Sequence, residues 1–319
     1  MEPLVQTRKL KKYFSTSSGM LHAVDMLDLD IMSGATLGVV GESGCGKSTL
    51  GRVILRLIEP TGGEVLFAGK DITKKNHREM AEFRKETSIV FQDPYASLNP
   101  RLTVSEIIEE PLIVNQEFSS RHERQQAVFR MMGTVGLAAR LVNSYPHELD
   151  GGRRQRIGIA RALVLKPKFV VCDEPVSALD VSIQAQILNL LMDLQDEMKL
   201  TYMFITHDLS VVKHISNEVF VMYRGVCVER APKEIFFANP LHPYSKGLFS
   251  AILRPNLNNR GKKRETLMGE VESPVNLPPG CRFAGRCSLV EERCHSDAET
   301  ILRDQGNGHF VACPVVGKQ

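Results

Sequence analysis

The chain has 319 residues, with 40 Lys and Arg against 37 Asp and Glu, so its net charge is +3 at pH 7. A charge this close to neutral does not indicate bulk nucleic-acid binding, and we expect no nucleic-acid partner. Hydrophobic residues make up 43% of the chain, which is typical of a globular protein with a sizeable core. No apolar stretch approaches the ~18 residues of a membrane span, and the N-terminus has no signal-peptide core. We therefore expect a cytosolic chain with reduced cysteines.

Predicted strands and helices alternate through the first two thirds of the chain. The predicted strands are Leu21–Ile31, Ala35–Val40, Gly63–Gly69, Ser88–Phe91, Lys168–Cys172 and Tyr202–Ile205. The predicted helical stretches are Ser48–Ile58, Val104–Lys166 with a break at Pro146, and Val181–Lys199. Such alternation predicts an α/β fold with a parallel sheet covered on both faces, and the central block predicts an inserted helical subdomain at about residues 97–160.

The segment Gly41–Ser48 reads GESGCGKS and follows a predicted strand, which is the context of a complete P-loop. Its glycines allow backbone N–H groups to turn toward phosphate oxygens. We expect Lys47 to reach the β- and γ-phosphates of ATP and the Ser48 hydroxyl to ligate Mg²⁺. The predicted nucleotide-binding residues of this loop are Gly41, Ser43, Gly44, Cys45, Gly46, Lys47, Ser48 and Thr49.

An acidic pair follows the apolar strand Lys168–Cys172. Asp173 ends this strand, where a buried carboxylate can orient the Mg²⁺ shell. Glu174 comes next, and it is the natural general base or water-positioning group for attack on the γ-phosphate. In a chain that also carries a P-loop, this pair predicts an ATPase.

Over residues 3–240, these motifs and their spacing resemble the nucleotide-binding subunit of an ABC transporter. The resemblance implies that Gln92 is a catalytic residue that contacts Mg²⁺ and water and senses the membrane partner. It implies that His207 contacts the γ-phosphate, and that Asp180 belongs to a loop at the dimer interface and is one of the nucleotide-binding residues. It also places Tyr13 where an aromatic ring stacks on adenine, with Phe14 as the rival.

Five further segments are similar to dipeptide and oligopeptide importers, and fit best the second of their two ATPase subunits. They are Leu50–Pro60, Phe91–Arg101, Tyr145–Leu149, Leu241–Tyr244 and Ser273–Phe283. This resemblance implies a second ATPase subunit, two membrane permeases and an extracytoplasmic solute-binding protein, with the chain at the cytoplasmic face of the membrane. The solute stays open among dipeptides, longer peptides, nickel complexes and sugars.

Two other functions are alternatives to transport: that of a soluble ABC ATPase and that of a non-hydrolysing regulatory subunit. Soluble ABC ATPases of DNA repair or translation carry long coiled-coil insertions or two cassettes, and this chain has neither. A non-hydrolysing regulatory subunit would not need Glu174 and His207, which are both present.

The family signature Leu-Ser-Gly-Gly-Gln is altered here to Leu149-Asp150-Gly151-Gly152-Arg153. The signature begins a helix whose N–H groups attract the γ-phosphate of ATP held on the opposite subunit, so Asp150, Gly151 and Gly152 are predicted nucleotide contacts. Asp150 puts a carboxylate where the serine hydroxyl would stand, and it can cap its own helix. We hypothesise a heterodimer with one weak site; the alternative is that Arg153 and Arg154 compensate for the charge.

From about Asn239 onward Pro, Asn and Gly become more frequent, which divides the chain into an ATPase domain, residues 1–238, and a C-terminal extension, residues 239–319. The extension contains a basic run, Arg260–Arg264, which is either a solvated linker or a contact for nucleic acid or lipid. It also contains Cys281, Cys287, Cys294 and Cys313. Their loose spacing favours a [4Fe–4S] cluster, which the importer resemblance supports; structural zinc and unligated thiols remain alternatives.

Overall fold

The computed structural model describes residues 2–76, 78–250, 275–277, 279–296 and 300–316. The strands are β1 Pro3–Thr16, β2 Gly19–Met32, β3 Thr36–Val40, β4 Gly62–Phe67, β5 Lys70–Asp71, β6 Thr87–Val90, β7 Phe169–Asp173, β8 Thr201–Ile205, β9 Glu218–Tyr223, β10 Val226–Pro232, β11 Arg303–Asp304 and β12 Phe310–Val311. The helices are α1 Lys47–Ile54, α2 Met80–Glu86, α3 Pro94–Ser97, α4 Val104–Val114, α5 Arg121–Thr134, α6 Gly151–Leu163, α7 Val181–Met198, α8 Leu209–Ile215, α9 Lys233–Ala238 and α10 Pro243–Ser250.

The chain forms two compact units whose segments interleave along the sequence. The helical unit consists of Met1–Val5, Ile31–Ala35 and Phe67–Ile205. The P-loop unit consists of Gln6–Asp30, Thr36–Leu66 and Thr206–Gln319.

Three parallel strands form the centre of the helical unit. β7 pairs with β6 on one side and β8 on the other, and every residue of β7 and β8 is buried. Strands buried in this way read as continuous apolar runs, which explains why the sequence predicted them. Around them, α4 begins with a capping box between Thr103 and Glu106, and α6 begins at the cap residue Asp150.

The P-loop unit combines parallel and antiparallel pairing. β3 runs parallel to β9, whereas β9 and β10 form an antiparallel pair that β12 and then β11 extend. In the same unit β1 lies between β2 and β4. The predicted parallel sheet is therefore only part of the fold.

One predicted helix ends early. The apolar spacing predicted a helix over Ser48–Ile58, but α1 ends at Ile54. Arg56 adopts a left-handed conformation with φ 48°, which stops the helix, and Leu57 is exposed. The basic run Arg260–Arg264 lies outside the described residues. None of the helices in the described ranges combines the length and the apolar character that crossing a membrane requires.

Candidate nucleotide-binding site

The P-loop joins a fully buried strand, β3, to helix α1. Two of its glycines are required by close approaches to other backbone. A Cβ on Gly41 would lie 2.2 Å from the Met222 carbonyl oxygen, and one on Gly46, where φ is 107°, would lie 2.0 Å from that of Ala23. No other residue fits without displacing these segments. Because Gly46 is also the N-cap of α1, the positive end of this helix faces the loop.

Lys47 is held against the loop by backbone oxygens. Its side chain is buried, and Nζ donates to the Gly41 oxygen at 2.8 Å and to the Glu42 oxygen at 3.0 Å. Burial raises the pKa of the neighbouring Cys45 thiol. The Cys45 side chain is buried and packs as a small apolar group.

In the helical unit, the predicted catalytic residues Gln92 and Glu174 are brought together. Gln92 Nε2 donates to Glu174 Oε2 at 3.0 Å, just beyond the carboxyl ends of β6 and β7. Asp173, the last residue of β7, is buried. Glu174 has a left-handed backbone with φ 47°, an uncommon conformation for this residue type that is often found at functional sites.

The altered signature forms the start of α6. Asp150 caps this helix, because its Oδ1 accepts a hydrogen bond from the Arg153 backbone N at 2.8 Å. The Arg153 guanidinium lies 3.5 Å from Asp150 Oδ2, with both side chains substantially exposed. Arg154, the other arginine of the alternative in which the charge is compensated, is buried and donates to the Pro146 oxygen at 2.6 Å.

The signature also packs on the segment that follows Glu174. A Cβ on Gly152 would lie 2.9 Å from Ile183 Cγ2, so the start of α6 lies directly against α7. Asp180 is the N-cap of α7, and Ser177 Oγ donates to the Glu174 oxygen at 3.1 Å. Thus the predicted signature, interface loop and general base lie in one packed region of the helical unit.

His207 follows β8 and is exposed. It belongs to the P-loop unit, where the preceding residue, Thr206, donates its backbone N–H to the Val39 oxygen at 3.1 Å. His207 is therefore held next to the carboxyl end of β3, where the P-loop begins.

Tyr13 is the centre of a polar cluster in the P-loop unit. Its ring stacks on His22 at 4.1 Å between centroids, and its hydroxyl donates to Asp25. Burial, followed by the hydrogen bond to Asp25, raises the pKa of Tyr13. The rival Phe14 instead lies below the Lys12 ammonium, 4.9 Å from Nζ to the ring centroid.

The C-terminal extension reaches this site, which the sequence did not predict. Arg286 forms a two-pronged ion pair with Glu42 of the P-loop, at 2.7 and 3.0 Å, and Arg282 pairs with Asp25. Both arginines stand between Cys281 and Cys287, but no local pattern indicates partners some 250 residues away.

Two of the four clustered cysteines accept hydrogen bonds from backbone N–H groups. Cys287 Sγ accepts from the Leu289 N–H at 3.4 Å, and Cys294 Sγ accepts from the Glu291 N–H at 3.5 Å. Burial is the main reason why the pKa of Cys281 is raised to about 11. Within the described parts of the chain, no group of three or more His, Cys, Asp or Glu is arranged to hold a metal ion. The predicted [4Fe–4S] or zinc site is therefore not supported by the structure.

Comparison with known proteins identifies the class. Residues 24–177 match the family described as ABC transporter, and residues 228–294 match the oligopeptide/dipeptide transporter C-terminal region. The dipeptide transport ATP-binding protein DppF of Haemophilus influenzae is 49% identical over 317 residues, covering 98% of this chain and 96% of the relative. The oligopeptide transport ATP-binding protein AppF of Bacillus subtilis is 46% identical over 323 residues, covering 98% and 97%.

Solved structures agree with the sequence relatives. The CbiO1 subunit of a Clostridium perfringens ABC transporter complex superposes with a TM-score of 0.67 at 27% identity, covering 75% of this chain and 92% of that one. A dimeric bacterial ABC transporter cassette gives a TM-score of 0.66 at 28% identity, covering 72% and 98%.

The P-loop after one buried strand and the acidic pair at the end of another define a P-loop ATPase, and the predicted α/β P-loop fold is confirmed. The chain belongs to the ABC transporter family, among the ATP-binding proteins of peptide transporters. It is thus an ATPase whose hydrolysis is coupled to transport.

We expect Glu174→Gln to retain MgATP binding but to lower the rate of hydrolysis at this chain's site by about 100-fold, because an amide cannot accept the proton of the attacking water. The measurement is phosphate release together with nucleotide affinity. Glu197→Gln, an exposed position on α7, makes the same chemical change and should leave both unchanged. Equal loss of binding and hydrolysis in Glu174→Gln would contradict the role as a base.

Proposed function

We propose that the chain powers the import of peptides by an ABC transporter. The observation that carries this proposal is similarity over 98% of the chain to ATP-binding proteins of dipeptide and oligopeptide transport, which includes the transporter-specific C-terminal region. We also retain as a proposal the division into an ATPase domain, residues 1–238, and an extension, residues 239–319.

The proposed assembly contains a second, homologous ATPase subunit and two membrane permeases, and it receives solute from an extracytoplasmic binding protein. The chain would then lie at the cytoplasmic face of the membrane. Family membership supports permease partners and ATPase pairing; that the pair is a heterodimer is part of the proposal.

The residue roles follow from the motifs and the local geometry. Lys47 would bind the β- and γ-phosphates, and Ser48, Gln92 and Asp173 would hold Mg²⁺, which neutralises phosphate charge during transfer. Glu174 would accept a proton from the attacking water. The Gln92 hydrogen bond to Glu174 supports this role, because it fixes the direction of the carboxylate. His207 would contact the γ-phosphate and Tyr13 would stack on adenine.

A pull-down of the chain from its native membranes in mild detergent tests the assembly. We expect mass spectrometry to identify two polytopic permeases and a second P-loop ATPase, because the proposed assembly holds the chain at the membrane through these partners. Recovery of soluble partners alone, with no membrane protein, would contradict the proposed transport function.

The altered signature supports an asymmetric pair of ATP sites. The Asp150 carboxylate accepts the Arg153 N–H, one of the donors at the start of α6 that an anion would otherwise use. It also brings negative charge toward the phosphate of a nucleotide held by the partner subunit. The partner's P-loop would therefore form a weak site, while this chain's own P-loop would pair with an ordinary signature and remain active.

Restoring the signature with Asp150→Ser and Arg153→Gln should roughly double turnover in the assembled complex, because a second site joins the first. Asp150→Asn is the matched control, because it keeps the helix cap and removes the charge. It therefore separates the effect of the negative charge from the effect of the capped helix donor. Unchanged turnover in the restored variant would show that the Asp150 carboxylate is tolerated.

For the extension, we propose a [4Fe–4S] cluster on Cys281, Cys287, Cys294 and Cys313, with zinc as the alternative. The proposal rests on the clustering of these four cysteines in the sequence and on the match of residues 228–294 to the transporter C-terminal region. The role would be structural or sensory, because ATP hydrolysis needs no redox step.

The full chain purified without oxygen should contain about four irons and four sulfides and be coloured by charge transfer between thiolate and iron. Cys287→Ser should lose the iron. Cys227→Ser, which alters a buried cysteine of β10, should keep it. Bound zinc without iron, or neither metal, would overturn the cluster assignment.

A further inference from the structure

Glu42 of the P-loop forms hydrogen bonds through its backbone N–H, its backbone oxygen and its side chain. Its backbone N–H donates to the Tyr244 hydroxyl at 2.7 Å, and its backbone oxygen accepts from Lys47 Nζ at 3.0 Å. The same oxygen accepts from the Cys45 N–H at 3.3 Å. A displacement of Glu42 would therefore displace the phosphate-binding lysine.

The Glu42 carboxylate is held by the C-terminal extension. Arg286 donates through Nη1 to Oε2 at 2.7 Å and through Nη2 to Oε1 at 3.0 Å. The side chains are 8% and 22% exposed, so water screens this pair much less than a surface pair. A bidentate pair also fixes the orientation of the Glu42 carboxylate, because the planar guanidinium and the planar carboxylate must align with each other.

The segment that carries Arg286 is itself anchored in the P-loop unit. Phe283 is buried and packs on Tyr223 and Tyr244, with ring centroids 5.3 and 5.5 Å apart. Tyr244, which also belongs to the extension, thus links Phe283 to the P-loop, because its hydroxyl accepts the Glu42 N–H. The packing of Phe283 thus holds the segment that carries Arg286 beside the P-loop.

The same segment reaches a second element of the site. Arg282 pairs with Asp25, the residue that accepts the Tyr13 hydroxyl, and it also donates to the Arg224 oxygen. Next to Arg224, the Gly225 N–H donates to the Cys45 oxygen in the P-loop at 2.9 Å. One short stretch, Cys281–Cys287, therefore contacts both the loop and the cluster around Tyr13.

We propose that Arg286 is a positioning residue for the ATP site, and that the Cys281–Cys287 segment makes ATP affinity depend on the folded C-terminal extension. Arg286 acts through Glu42 on Lys47 and does not itself touch nucleotide. Loss of its pair frees the Glu42 side chain and lets the loop backbone move, and small displacements of a binding group lower its effectiveness steeply.

The test uses the full-length chain and measures the dissociation constant of a non-hydrolysable ATP analogue with Mg²⁺. Arg286→Gln and Glu42→Gln should each raise this dissociation constant by about tenfold, which is the effect expected when one charge-assisted pair is lost. The double variant should be no weaker than either single variant, since both remove the same interaction. Arg286→Lys keeps the charge but loses the planar guanidinium. Its dissociation constant should lie between those of Arg286→Gln and the wild type.

Arg230→Gln is the matched control. Arg230 pairs with Glu218 in the same unit, with Nη2 to Oε2 at 3.1 Å and side chains 18% and 26% exposed. It belongs to the β9–β10 pair and not to the contacts of the P-loop. The dissociation constant of the analogue for Arg230→Gln should lie within about twofold of the wild-type value. We expect this result even if Arg230→Gln and Arg286→Gln lower the unfolding temperature equally.

In the assembled transporter, Arg286→Gln should raise the KM for ATP while kcat changes little, because the affected step is binding. Three outcomes would overturn the proposal: an unchanged dissociation constant in folded Arg286→Gln, additive effects of Arg286→Gln and Glu42→Gln, or an equal loss of affinity in Arg230→Gln.

Discussion

The path of the P-loop between neighbouring backbone segments is the constraint on which the nucleotide site depends. Gly41 and Gly46 lie so close to the carbonyl oxygens of Met222 and Ala23 that any side chain would push the loop outward. Lys47 then closes the loop from inside by donating to two of its oxygens. A loop fixed in this way can present N–H groups to phosphate without first being ordered, which lowers the entropic cost of binding.

The chemistry at the acidic pair depends on a second constraint. β7 is buried along its whole length and ends at Asp173, and the left-handed turn at Glu174 then redirects the chain. Because the Gln92 amide holds one oxygen of Glu174, rotation of the carboxylate is restricted. The carboxylate in the signature has a different partner: Asp150 accepts a hydrogen bond from a backbone N–H of its own helix, α6. The two carboxylates therefore have different proposed roles: Glu174 accepts a proton, whereas Asp150 competes with an anion for a donor of α6.

Local patterns predicted much of the site. The buried strands β3, β7 and β8 were visible as apolar runs, and the P-loop and acidic pair could be located because each directly follows such a strand. β1 was missed because charged residues such as Arg8 and Lys12 interrupt it, and α1 was predicted too long because apolar spacing cannot detect the left-handed Arg56. Arg282 and Arg286 could not be placed, since ion pairs across 257 and 244 positions, respectively, leave no local signal.

Uptake of a labelled dipeptide into proteoliposomes tests the transport function most directly. The vesicles would contain this chain with its permeases and partner ATPase, MgATP inside and the solute-binding protein outside. We predict accumulation that requires internal MgATP and that is lost when Lys47→Ala replaces the native chain, because that lysine is expected to bind the phosphates. Accumulation that is equal with Lys47→Ala, or no uptake of any peptide by the complete assembly, would contradict it.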